Sequence, residues 1–138
     1  MLKIYFDAST KGNPGPSGGG FVVIGEQLYE QHSFALTGEL SNHQAEFAVF
    51  SEVLTYLTEQ NYVDQLITIY TDSKLVAESF KKNYTKHPDF QDYLAEVQFK
   101  AQLFPLLFLE WIPEAKNKGA DNLARQGLTK ALKLQNRR

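Results

Sequence analysis

Three segments with period-two patterning follow one another before any helical periodicity begins. Leu2, Ile4 and Phe6 alternate with Lys3, Tyr5 and Asp7, and Gly18 to Ile24 and Leu28 to Leu36 read as two further strands. Only Gly25-Glu26-Gln27 separates the second from the third, and so tight a connection joins antiparallel neighbours. Three such strands make a meander in which the third runs parallel to the first. The first strand is expected to end at Asp7 and give way to a loop, since Gly or Pro fills seven of the nine positions from Gly12 to Gly20. That puts a carboxylate at the carboxyl end of a strand, where ligand sites gather in sheets with helical crossovers.

After residue 40 the period changes. Ser41 and Gln44 fit a capping box, and Ala45, Val49, Phe50, Val53, Leu54 and Leu57 form the stripe of a helix over Ser41 to about Glu59. Leu66 to Thr71 is a strand ending at Asp72, followed by a short helix over Ser73 to about Lys82. Pro88 to Leu103 is a helix opening on a proline, Leu106 to Ile112 a strand stopped by Pro113, and Asn117 to Leu134 a helix. Residues 135–138 are expected to fray. The order βββαβααβα implies an α/β fold with a mixed sheet, and 138 residues suit one domain covering the whole chain.

Composition bounds the chemistry. The absence of cysteine excludes a disulfide framework and a thiolate metal site. The most apolar run, Leu103 to Leu109, contains a proline and falls far short of the ~20 residues that span a bilayer. With no signal-peptide core ahead of the first strand, a soluble, cytoplasmic monomer is the expectation. A net charge of -2 argues against tight non-specific binding of nucleic acid through phosphate neutralisation, while leaving room for contact through bound cations.

Connectivity brings four acids to one rim. Strands reached through helical crossovers run parallel, which makes those ending at Asp72 and Ile112 parallel to the first, so Asp7, Glu46, Asp72 and Asp121 all fall at the same edge. Each has an ordinary explanation alone: Asp7 as a turn residue, Asp72 as a helix cap, Glu46 and Asp121 as acids favoured by helix dipoles. Together, with no arginine at an adjoining position, they would repel and raise one another's pKa unless a cation lay among them. Glu46 also shares the core-facing side of its helix, where an unpaired carboxylate costs several kcal/mol. An all-oxygen cluster suits Mg²⁺ or Mn²⁺ rather than zinc.

The chain resembles type 1 ribonuclease H. The matching pieces are Asp7-Ala8-Ser9 leading into Gly12-Asn13-Pro14-Gly15-Pro16, then Ser41-Asn42-His43-Gln44-Ala45-Glu46, Tyr70-Thr71-Asp72-Ser73 and Asn117-Lys118-Gly119-Ala120-Asp121-Asn122-Leu123-Ala124. Their order and spacing cover nearly the entire chain. The resemblance implies a ribonuclease H-like five-stranded mixed sheet flanked by helices, with the first strand central. It also implies a site for two divalent metal ions made by Asp7, Glu46, Asp72 and Asp121, hydrolysing the RNA strand of an RNA–DNA hybrid to 5′-phosphate and 3′-hydroxyl ends. Asn13 and Asn42 would read RNA backbone and 2′-hydroxyls, Ser41 would help hold a DNA-strand phosphate, His43 would hydrogen-bond the DNA strand, and Lys74 would meet a phosphate or stay solvated.

Two departures from the family pattern bear on activity. The loop from Trp111 to Asp121 lacks the histidine many members place there, and where others carry an arginine after the proline this chain has Glu114, with Lys116 the available stand-in. The segment Lys81 to Lys100 lacks a tryptophan-rich basic protrusion, mixing Lys81, Lys82, Lys86 and Lys100 with Asp89, Asp92 and Glu96. Both predict weaker substrate binding and slower turnover. Two alternatives therefore stand beside the hybrid nuclease: a hybrid-binding protein with little or no catalysis, and a related nuclease acting on DNA. His32 and His87 are expected as ordinary surface residues.

Overall fold

The computed structural model describes residues 1–137. Five strands, β1 (Leu2–Thr10), β2 (Ser17–Gly25), β3 (Leu28–Ala35), β4 (Ile67–Thr71) and β5 (Leu107–Trp111), form one sheet in the order β3-β2-β1-β4-β5. The first three are antiparallel, and β4 and β5 are parallel to β1. The helices are α1 (Asn42–Glu59), α2 (Lys74–Lys82), α3 (Pro88–Ala101) and α4 (Lys118–Asn136), with a 3₁₀ turn at Glu114–Lys116.

Alternation along β1 divides the molecule into layers. Leu2, Ile4 and Phe6 are buried on the side of α1, where the ring of Phe6 stacks on Phe50 at 5.5 Å. Behind α1 lies α3, joined through Phe47 with Phe90 and Tyr93, while α2 packs beside β5. The opposite side of β1, β2 and β3 receives α4. A side chain at Gly20 would collide with Leu123 and Ala124, and one at Gly127 with the backbone of Gly19 and Phe34. Glycine here lets a helix lie against bare strand.

Local chemistry sets the element ends. Ser41 caps α1, accepting from the Gln44 amide at 3.2 Å, while the Gln44 side chain accepts from the Ser41 amide at 2.9 Å. The capping box read from sequence is present. At α2 the cap is Ser73, whose hydroxyl accepts from Val76 N at 3.2 Å, so Asp72 is free of that duty.

Three expectations need correction. Where the sequence pattern predicts a stop at Asp7, β1 continues to Thr10, because β2 begins at Ser17 and pairs back along Asp7↔Gly20 to Thr10↔Ser17. The turn is confined to the intervening residues. On the other side, however, the β1–β4 ladder ends at Tyr5↔Tyr70, so Asp7 does lie beyond the last pair with β4. Second, α4 ends at Asn136 and not at Leu134, since Lys133, Leu134 and Gln135 favour helix even without burial; Arg138 lies outside the described residues. Third, His32 is half-buried: its ring stacks on Phe21 at 4.5 Å and Nε2 meets Glu30 Oε1 at 2.9 Å. Among the described residues no helix is long and apolar enough to cross a membrane.

Candidate active site

The parting of β1 and β4 builds the site. Past Tyr5↔Tyr70 the strands separate, leaving Asp7 on one lip and Asp72, the residue after β4, on the other. Glu46 enters from the second turn of α1 with a side chain only 16% exposed, and Asp121 from the first turn of α4. All four acids stand within electrostatic reach: Asp72, Asp121 and Glu46 each act on Asp7 as like charges.

That crowding shows in the proton affinities. Burial, reinforced by Asp72, Asp121 and Glu46, pushes the Asp7 carboxyl from 3.8 up to about 8, against the pull of the Ala8 amide, which donates to Oδ1 at 2.9 Å. Burial also raises Glu46, with its hydrogen bond to His43 opposing. Asp72 is raised by burial, with Asn117 opposing and the charges of Glu114 and Asp121 adding to the rise. Glu114, in the place where an arginine would serve the family pattern, thus adds negative charge beside Asp72.

Three of the acids are already engaged. His43 Nδ1 meets Glu46 Oε1 at 2.9 Å, and Asn117 Nδ2 donates to Asp72 Oδ2 at 3.2 Å. Arg125 Nε donates to Asp121 Oδ1 at 3.2 Å, and its Nη2 lies 3.2 Å from Oδ2 in an ion pair. The expectation that no arginine adjoins the acids is therefore wrong: Arg125 lies one helical turn from Asp121, the spacing at which side chains on a helix meet. Among the described residues no three Asp, Glu or His side chains close on a point that would hold a metal ion. The donor set is the right one for a hard cation, all carboxylate oxygen and short of positive charge around Asp7. Its side chains must turn from their present partners to enclose one.

The residues expected to touch substrate divide into two groups. Gly15 and Leu40 exchange backbone hydrogen bonds of 3.0 and 2.9 Å, pinning the β1–β2 loop to the entry of α1, and Asn13 Oδ1 accepts from Asn42 N at 3.0 Å. Asn13, Ser41 and Asn42 are thereby held together, with Asn13 and Asn42 exposed. His43 lies next to them but is turned to Glu46. Lys74 sits elsewhere, its Nζ 5.0 Å from the centre of the Trp111 ring.

Sequence reasoning missed Asn117, Trp111 and Arg125 as members of this site. Asn117 before a helix reads as a cap, yet its side chain makes no cap bond and reaches Phe6 O at 2.8 Å instead. Trp111 donates its indole N–H to Asp72 O at 3.2 Å. Only the spacing of Arg125 from Asp121 could have signalled a contact.

Comparison with known proteins agrees with this architecture. The family model of RNase H matches residues 1–129. The Enterococcus faecalis protein EbsB is 48% identical over 130 residues, 94% of this chain and 96% of EbsB. Among solved structures, LC11-RNase H1 in complex with an RNA/DNA hybrid superposes with a TM-score of 0.86 at 29% identity, covering 96% of this chain and 99% of that one. RNase H1 from the archaeon Halobacterium salinarum gives 0.85 at 26% identity, covering 94% and 98%. With the sheet order, the rim of acids and these matches in agreement, the chain belongs to the type 1 RNase H family and is a ribonuclease H, a hydrolase.

Proposed function

We propose that this protein is a divalent-ion-dependent endonuclease that hydrolyses the RNA strand of RNA–DNA hybrids, leaving 5′-phosphate and 3′-hydroxyl ends. The observation that carries the reading is the gathering of carboxylates at one rim: half-buried Asp7, beyond the last β1–β4 pair, has Asp72, Asp121 and Glu46 all within reach as like charges. Such an arrangement is unfavourable by itself and is relieved by a cation. Family membership and the hybrid bound to LC11-RNase H1 support the choice of substrate.

Asp7, Glu46, Asp72 and Asp121 would hold two ions, Mg²⁺ or Mn²⁺. When bound, these ions supply Lewis-acid stabilisation of the charge that develops on the phosphate and lower the pKa of water. In the reaction a water oxygen gives up a proton and bonds to phosphorus as the P–O3′ bond breaks; the 3′ oxygen takes up a proton and leaves as a hydroxyl, while the phosphate stays on the 5′ oxygen of the downstream nucleotide. Asn13 and Asn42 would contact sugar and 2′-hydroxyl, the group by which RNA is told from DNA. The hydroxyl proton of Ser41 stays available for a phosphate while its oxygen caps α1. His43 and Lys74 would contact the flanking strands. For ions to enter, Glu46 must turn from His43 and Asp121 from Arg125. The reading includes a cytoplasmic monomer, which sedimentation and cell fractionation test.

A hybrid-binding protein with little catalysis is the second reading, favoured by Glu114, whose charge bears on Asp72 where the family pattern has a basic side chain. Cleavage of an end-labelled hybrid, a DNA duplex and single-stranded RNA, each with Mg²⁺, Mn²⁺ and EDTA, separates the possibilities. Cutting of the hybrid alone, dependent on the ion, is the expected result. Hybrid binding without cutting under either ion would leave the second reading standing, and cutting of the DNA duplex would overturn both.

A further inference from the structure

We propose that Asn117 is a positioning residue that sets the spacing of the candidate ion-binding acids. The inference rests on the nuclease reading above. Asn117 is 1% exposed and bonds to two of the four acids and to the residue just before a third. Its Nδ2 donates to Phe6 O, in the peptide joined to Asp7, at 2.8 Å, and to Asp72 Oδ2 at 3.2 Å. Its backbone carbonyl accepts from Asp121 N at 3.0 Å.

The location gives these contacts their meaning. The β1–β4 ladder ends at Tyr5↔Tyr70, so no further backbone pair fixes the distance between Asp7 and Asp72. The Asn117 amide stands across that gap. It forms no side-chain cap on α4, so it is free for this role.

Only an amide of this length meets the demand. Both neighbours, a carbonyl and a carboxylate, are acceptors, and the amide nitrogen offers two donors. The reverse orientation would turn Oδ1 toward two acceptors. In the present one, Oδ1 is buried with no hydrogen-bond partner among the described residues. The amide is thus held by its donor side alone. An aspartate at this position would lose both donors and add a carboxylate beside Asp72.

The test compares wild type, Asn117→Ala and Asn117→Ser with Leu57→Ala, which removes a buried side chain at the far end of α1 and serves as the control for lost stability. Mn²⁺ binding is measured by calorimetry without substrate, and kcat and KM on a defined hybrid, all below the melting midpoints. Asn117→Ala is expected to weaken Mn²⁺ binding or kcat by about 10- to 100-fold, the range for residues that orient metal ligands, with KM unchanged. Asn117→Ser, whose hydroxyl is one bond too short to reach either partner, is expected to match the alanine variant, and it serves alone if that variant does not fold. Leu57→Ala keeps the wild-type ion affinity and kcat.

Folded Asn117 variants with Mn²⁺ affinity and kcat equal to wild type would overturn this inference and leave the nuclease reading intact. Losses of the same size in Leu57→Ala would overturn it too, by showing that instability alone accounts for them. A wild-type protein that neither binds Mn²⁺ nor cuts hybrid would overturn both.

Discussion

The indole N–H of Trp111 donates to the carbonyl oxygen of Asp72 at 3.2 Å, tying the last residue of β5 to the acid that follows β4. Trp111 is the sole tryptophan in the chain, and Lys74 lies over its ring. Intrinsic fluorescence therefore reports on one corner of the candidate site. Titration with Mg²⁺ or Mn²⁺ is expected to change the emission along a saturable curve, and Asp72→Asn should remove that curve. Emission that stays flat through ion concentrations supporting cleavage would show that no ion reaches Asp72.

Asp72→Asn itself replaces a carboxylate by an amide of the same shape. The fold is expected to persist, since Ser73 and not Asp72 caps α2. Hybrid cleavage should fall by about 100-fold or more, equivalent to roughly 3 kcal/mol of lost transition-state stabilisation. Circular dichroism and an end-labelled hybrid assay check the two halves. Undiminished cleavage would remove Asp72 from the site.

Asp7 makes stability depend on pH in a direction opposite to that of most acids. Its carboxyl is raised from 3.8 to about 8 on folding, so between those values the native state holds a proton that the unfolded chain has released. Stability from this group is full below about 4, falls as pH rises to about 8 and is level above. Thermal melts of wild type and Asp7→Asn in EDTA should diverge as pH rises through that window, the asparagine variant becoming the more stable. Mg²⁺ should narrow the gap. A constant difference across the window would show that Asp7 titrates near its ordinary value.

On the proposed reading, Arg125 would compete with an ion for Asp121. The pair is largely exposed on the arginine side, so Arg125→Gln is expected to change stability by less than about 0.5 kcal/mol. The Mn²⁺ concentration giving half-maximal cleavage should fall, because Asp121 no longer needs to leave a partner. An unchanged ion requirement would mean that Asp121 does not take part in binding.

Gly127→Ala should be costly for a reason unrelated to helix propensity. The added methyl meets the backbone of Gly19 and Phe34, which cannot rotate away, so α4 must lift from the sheet. Overpacking of this kind costs about 1–3 kcal/mol, read from urea denaturation. A variant as stable as wild type would show that α4 has room to shift.

Much of this arrangement was legible in the chain because it rests on local rules. The Ser41 cap, the stripe from Ala45 to Leu57 and the alternation of Leu2, Ile4 and Phe6 are each fixed by neighbours a few residues away. The rim of acids followed from helical crossovers joining parallel strands, which needs no side-chain detail. What escaped depends on contacts between distant segments. Asn117 meets a carbonyl 111 residues earlier, and His32 stacks on a ring of β2 and meets a tilted ring of α1. The continuation of β1 past Asp7 was hidden because its pairing partner lies beyond a glycine- and proline-rich turn, and the composition of that turn masked the strand.

The placement of α4 has a consequence for the order of events during synthesis. The first strand leaves the ribosome early, while Asn117 and Asp121 are among the later residues to emerge. Until α4 settles over Gly20, a growing chain carries Asp7, Glu46 and Asp72 on an unfinished edge, with a strip of bare glycine beside it. Asp121 and the Asn117 amide therefore join the rim last, and the four acids stand together only once α4 has docked.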